Sequence, residues 1–142
     1  MVTAPPTRTV AENALLTFEV TAVDPDGDPI TSLTAPVLPP GATFTAGPGN
    51  TSGTLCWTPG FDQAGSHSIT FTATNALSGS TTTVVTVTNV DRAPAVMAPA
   101  TATVAAGELL TLHIPAVDPD GAAITSLTIT GLPAGAMVTP NP

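Results

Sequence analysis

The sequence predicts an all-β fold: a seven-stranded, two-sheet sandwich followed by the truncated front half of a second copy. Three observations carry the prediction. Apolar and polar residues alternate strictly in "LLTFEVTA" (15–22) and "SHSITFTATN" (66–75), the period of a strand with one wet face. No stretch holds a 3.6-residue apolar period, and 16 Pro and 12 Gly punctuate the chain at short intervals. Thr and Val, both strand formers, fill the space left by aromatics at 4 % and charged residues at 8 %.

Seven strands follow in order, here lettered A to G. Strand A covers 2–10. Strand B is 15–22, with Leu16, Phe18, Val20 and Ala22 on the inner face. C (29–34) and D (42–46) are short. E (53–58) sets Leu55 and Trp57 inward and Cys56 outward, so Trp57 reads as core rather than as a platform for sugars. F (66–75) turns His67, Ile69, Phe71 and Ala73 inward, and His67 stands where such sandwiches anchor a corner with a structural hydrogen bond. G (81–90) is Thr/Val-rich throughout. Spacing of about 8–12 residues between strands suits a sandwich.

The chain repeats itself. "VAENALLTFEVTAVDPDGDPITSL" (10–33) lies without gaps over "VAAGELLTLHIPAVDPDGAAITSL" (104–127), at an offset of 118 − 24 = 94 residues. Identity this dense over a domain-sized period marks tandem modules. Residues 1–92 form one complete repeat, and 93–142 carry the N-terminal half of a second. That half lacks anything matching residues 49–90, so it is expected to be poorly ordered, to lean on the first repeat or to self-associate with another chain.

Charge narrows the partners. Ten acids face two arginines and no lysine, a formal charge of −8. Such a surface repels nucleic-acid phosphates and anionic lipid but tolerates divalent cations. No run of 18 apolar residues offers a membrane helix, and membrane insertion is not expected. The N-terminus lacks a basic and apolar leader, so an export signal, if used, is expected outside this segment. The lone Cys56 cannot form an internal disulfide.

The ordered motifs "AENALLTFEVTAVDPDGDPITSL", "GTLCWTP", "QAGSHSITFTATN" and "VDRAPAV" resemble bacterial Ig-like, cadherin-like (dystroglycan-type) tandem repeats of large surface or secreted proteins. The resemblance spans the first repeat and the surviving part of the second. It implies an extracellular Ig-like/cadherin-like β-sandwich used as a stalk or adhesion module, often with calcium at repeat junctions. Two departures stand out. His67 occupies a position where the family commonly has Tyr, and the acidic linker of cadherins shrinks to a single acid in "TNVDRAP".

Strand topology places the acids independently of that resemblance. If the strands alternate down and up, the A–B loop, the E–F loop and the exit from G share one end, and the B–C loop lies at the other. Glu12, Asp62 and Asp91 then cluster at the bottom of the first repeat, facing Asp118 and Asp120 in the B–C loop of the second. Uncompensated, each like-charge pair at about 4 Å costs on the order of 1 kcal/mol in water. Ca2+, with its 6–8 oxygen ligands, resolves this, and a junctional calcium site is the sharpest expectation. Asp24 and Asp26 are lesser candidates, serving a junction with a preceding repeat. The competing reading is turn chemistry plus a salt bridge. In Asp-Pro-Asp-Gly, Pro presets φ, Asp caps the backbone and Gly accepts positive φ, while Arg92 neutralises the acids. An EF-hand is excluded, since Ala35 stands where its bidentate Glu would be.

No catalytic constellation is present: no nucleophile with a neighbouring His and acid, no H-E-x-x-H and no phosphate-binding glycine loop. Two non-enzymatic functions remain. One is a structural stalk or adhesion repeat whose partners are the neighbouring repeats of the chain. The other is a sandwich displaying a binding surface for a glycan or protein ligand, for which Phe61 is the one aromatic expected at the surface.

Overall fold

The computed structural model describes residues 1–139, and the chain divides into two compact units, Met1–Val90 and Asp91–Pro142. In the first unit, β1 (Val2–Thr3), β3 (Leu16–Ala22), β6 (Ser52–Trp57) and β5 (Thr43–Ala46) form one antiparallel sheet in the order β1-β3-β6-β5. The second sheet has the order β2-β8-β7-β4, from Thr7–Ala11, Ser78–Thr88, Gly65–Thr74 and Ser32–Thr34. Only β2 and β8 run parallel; Thr7 pairs with Val84 and Ala11 with Thr88.

The expected strand A is therefore two strands in opposite sheets. The switch lies at Pro5–Pro6, residues with no N–H to give a ladder. Their carbonyls still have partners: Pro5 O accepts the Thr83 hydroxyl at 2.7 Å and Pro6 O accepts Val84 N–H at 3.0 Å. The chain thus leaves one sheet, crosses the edge of the sandwich and joins the other with both proline carbonyls paired.

Alternation places the core. Along β3 every second residue is buried, from Leu16 to Ala22. Phe18, Val20, Leu55 and Trp57 meet Ile69, Phe71, Val85 and Val87 of the facing sheet. Full burial of each such side chain is worth roughly 1.5–3 kcal/mol. Phe71 packs edge-on against Phe18, centroids 6.0 Å apart, and tilted against Phe44 at 5.2 Å. Gly53 makes room for this cluster. A Cβ there would overlap Phe44 Cζ and sit 3.0 and 3.1 Å from Cε2 and Cε1. Gly53→Ala should accordingly destabilise the first unit by about 1–3 kcal/mol, read as a lower urea midpoint at unchanged m-value.

The second unit repeats the sequence pattern but not the packing. Among its described residues the strands are β9 (Ala95–Val96) and β10 (Ala116–Val117), paired antiparallel. Leu110, Leu112, Ile124 and Leu127 are 43, 46, 37 and 42 % exposed. Their repeat equivalents Leu16, Phe18, Ile30 and Leu33 are 7, 6, 9 and 3 % exposed. The difference is what faces them. In the first unit that partner is β6, β7 and β8, and residues 91–139 contain no counterpart of those strands. One part of the pattern does carry over: Val96 pairs with Ala116 as Val2 pairs with Ala22, the same register 94 residues on.

Candidate functional site

At one end of the first unit the β2–β3 turn, the β6–β7 loop and the exit of β8 come together around Glu12. Asn13 adopts φ 58° to close the turn, and its N–H bonds Pro59 O at 2.7 Å. This points the Glu12 side chain inward, where the residue is only 3 % exposed. Oε1 accepts Ala64 N–H at 3.1 Å and Oε2 accepts Val90 N–H at 2.9 Å. Both carboxylate oxygens thus serve backbone donors of this unit, pinning a loop and a strand exit that no ladder holds. Asp62 is exposed in the adjoining Gly60–Gln63 turn, which Gln63 closes by accepting Gly60 N–H at 2.7 Å through its side chain.

The same end explains His67. Its Nε2 lies 2.9 Å from Gln63 O, and its ring meets Trp57 edge-on at 5.0 Å, a structural corner. Trp57 in turn donates its indole N–H to Pro40 O at 3.1 Å. Phe61 is half-buried rather than presented at the surface.

The opposite end of the first unit carries the first Asp-Pro-Asp-Gly turn. Asp24 Oδ1 accepts N–H from Asp26 at 2.9 Å and from Asp28 at 3.3 Å, while Gly27 takes φ 86°. Asn75, in the tight turn between β7 and β8, donates to Asp24 Oδ2 at 2.8 Å. These bonds, the one from Asn75 foremost, hold the Asp24 carboxyl below its ordinary value of 3.8. Sequence reasoning passed over Asn75; the signal available was an Asn between two strand patterns in "TATNALSGS". The Asp26 side chain accepts no hydrogen bond from the described residues, and Asp26 is exposed.

The second unit contains the same turn with the same internal bonds. Asp118 Oδ1 accepts N–H from Asp120 at 2.9 Å and from Ala122 at 3.2 Å, and Gly121 has φ 78°. Here the second aspartate is occupied. Arg92 N–H reaches Asp120 Oδ2 at 2.6 Å, its Nε–H reaches Oδ1 at 2.8 Å, and a terminal nitrogen lies 2.7 Å from Oδ1 and 2.9 Å from Pro119 O. The Asp120 side chain keeps only 9 % of its accessibility. Asp91 completes the corner: carboxylate oxygens of Asp91, Asp118 and Asp120 all lie within 4.8 Å of one another. Of the five acids expected to converge, these three share one corner, while Glu12 and Asp62 belong to the first unit.

Three carboxylates against one guanidinium leave the corner net negative. Calcium would find Asp91 and Asp118 Oδ2 without a hydrogen bond from the described residues, but would have to share Asp120 with Arg92. The donor set is thus a partial fit, which carbonyls and water would have to complete.

The side-chain bond from Arg92 holds the Asp120 carboxyl below its ordinary value of 3.8, against the partial burial that would raise it. A carboxyl depressed in the folded state stabilises fully above its unfolded value. That contribution is lost as pH falls through the folded value, so the corner loosens only in acid below the usual carboxylate range. Arg92→Ala should return Asp120 to ordinary titration, followed by the side-chain carbonyl shift in NMR; an unmoved midpoint would show that Arg92 does not set it.

Comparison with solved structures gives matches at low identity. An endo-fucoidan hydrolase of glycoside hydrolase family 107 is 19 % identical with a TM-score of 0.48, covering 61 % of this chain and 13 % of that one. The sialic acid binding region of the Streptococcus sanguinis SK1 adhesin is 16 % identical with a TM-score of 0.47, covering 58 % and 27 %. A chimeric titin Z1Z2 is 20 % identical with a TM-score of 0.48, covering 83 % and 63 %. The chain thus spans about an eighth of the hydrolase's length, and likeness at this level says nothing of function. No curated protein sequence matches. Residues 1–88, more than half of the chain, match the family described as bacterial Ig domain, and the chain belongs to that family.

Proposed function

We propose that the chain is a structural stalk or adhesion repeat of a bacterial extracellular or cell-surface protein, with no catalytic role. The observation that carries this is the corner of Asp91, Arg92, Asp118 and Asp120, where the segment leading into a repeat is clamped to that repeat's own Asp-Pro-Asp-Gly turn. A clamp of this kind limits how the lead-in backbone can swing, which is what a load-bearing array needs at each module. Its working partners are then the neighbouring repeats, and the Arg92 fork supplies directional, charge-assisted bonds for the task.

Calcium is the second reading, favoured by the three carboxylates within 4.8 Å of one another. It would bridge Asp91 and Asp118 and stiffen the same corner through a cation in place of, or beside, the guanidinium. Amide hydrogen exchange at Arg92, Asp120 and Ala122, in chelator and in millimolar calcium, separates the two. Protection in chelator that Asp120→Asn removes supports the arginine clamp. Protection that appears only with calcium and vanishes in Asp118→Asn/Asp120→Asn supports the metal. Fast exchange in both conditions would sink the stiffening role itself.

A further inference from the structure

We infer that the Asp24–Asp26 turn, at the end of the first unit opposite Glu12, is a preformed receptor for an arginine carried on an extended peptide. The occupant is the Val-Asp-Arg segment that leads into a repeat, and the binding aspartate is Asp26. This rests on reading the chain as a tandem structural repeat and extends it to a site on the first unit.

The argument is a comparison between the two copies. Asp26 aligns with Asp120, Asp24 with Asp118 and Pro25 with Pro119 at the 94-residue offset. Both turns are closed by the same bonds: the leading Asp accepts two backbone N–H groups through Oδ1, and Gly N–H returns to its carbonyl at 3.2 Å in one and 3.1 Å in the other. In the second copy the turn holds a guanidinium: Asp120 accepts the backbone N–H and Nε–H of Arg92 and forms an ion pair with its terminal nitrogen, which also donates to Pro119 O. In the first copy Asp26 is exposed.

Register supplies the second, independent strand of the argument. Val2 pairs with Ala22 as Val96 pairs with Ala116, so the lead-in backbone is laid on the two units in the same place. Arg92 stands three residues ahead of Ala95, the equivalent of Met1. A backbone continued along β1 past its contact with Val23 O would therefore deliver its third residue ahead of Met1 to Asp26. Charge favours the same ligand. The first copy has Asp28 where the second has Ala122, so a cation meets a more negative turn there. A planar fork suits the site better than an ammonium. The bonds made by Arg92 combine a side-chain fork with its own backbone N–H, and lysine offers only a point charge.

The test adds the five residues Val-Asp-Arg-Ala-Pro ahead of Met1 in the full chain. Exchange of arginine Nε–H with water is then followed by NMR at low salt. The added arginine should show an Nε–H exchanging at least several-fold slower than in the urea-unfolded chain. Asp26→Asn should abolish that slowing and leave Arg92 unaffected. Equal exchange with Asp26 and with Asn at that position would overturn the inference. Arg92 serves as the internal reference. If it is slowed and the added arginine is not, only the receptor on the first unit fails. If neither is slowed, and Asp120→Asn changes nothing, the ionic clamp under the proposed function fails with it.

Discussion

Trp57→Ala should cost the first unit about 3–5 kcal/mol, the largest loss expected from any single truncation in its core. Trp57 is the largest of the fully buried side chains, at 1 % exposure. It closes the inner face of β6 beside the loop that leads into β7, so little backbone can collapse into the space its ring would leave. The indole also has a polar role. Its N–H satisfies Pro40 O, which accepts Gln63 Nε2 as well, at 3.1 Å each, and its ring edge supports His67. Truncation therefore removes apolar burial, opens a cavity and loosens the anchor between the β4–β5 and β6–β7 connections together. Set against the total stability of an ordinary domain, about 5–15 kcal/mol, the loss is a large share. At roughly 4–8 °C per kcal/mol for a unit of this size, the melting temperature should fall by at least about 12 °C. Far-ultraviolet circular dichroism in a urea titration checks it, since the variant has no tryptophan to report. Trp57→Phe, which keeps most of the apolar volume and loses the N–H donor, should fall between the two. A loss under about 1 kcal/mol for Trp57→Ala would mean that the core is held elsewhere.

The features legible in the sequence are those with a local period. Leu16 to Ala22 alternates because one face of β3 meets the core and the other meets water, and the alternation is written residue by residue. Trp57 and Leu55 could be placed on one face by the same rule. The division of strand A could not. Pro5 and Pro6 signal a break, but which sheet the chain joins afterwards depends on Thr83 and Val84, 78 residues away. The acids show the same limit. Asp24 and Asp118 were recognisable as turn formers because their partners lie two and four residues on. Asn75 and Arg92 act across 51 and 28 residues. Charge alone suggested Arg92 as a neutraliser, but no composition rule singles out Asp120 as the acid it grips with both side chain and backbone. The second unit makes the point from the other side. Leu110 and Leu112 carry the same pattern as Leu16 and Phe18, yet a strand pattern becomes core only where another sheet covers it.

Glu12→Ala should destabilise the first unit by about 2–5 kcal/mol, more than a turn acid on a surface would justify. The residue is nearly inaccessible, and its two oxygens are the partners of Ala64 N–H and Val90 N–H. Removing them leaves two part-buried backbone donors without an acceptor, at about 1–3 kcal/mol for each that water fails to reach. It also releases the β6–β7 loop and the exit of β8 from each other, since no ladder joins them at this point. Glu12→Gln keeps one acceptor and turns an amide N–H toward the other donor, so its loss should be smaller than that of Ala but clearly measurable. The informative condition is chelator. A Glu12 whose main task is to ligate a cation would lose nothing further when mutated in a metal-free buffer. A Glu12 that pins two backbone segments loses the same stability with or without calcium. Equal urea midpoints for Glu12→Ala and the unsubstituted chain in chelator would therefore refute the structural role. The second copy has Ala106 at the equivalent position, so its lead turn must be held without this carboxylate. Placing Glu at 106 in a chain carrying a complete second repeat should then stabilise that repeat through the equivalents of Ala64 and Val90, if the pinning role is right.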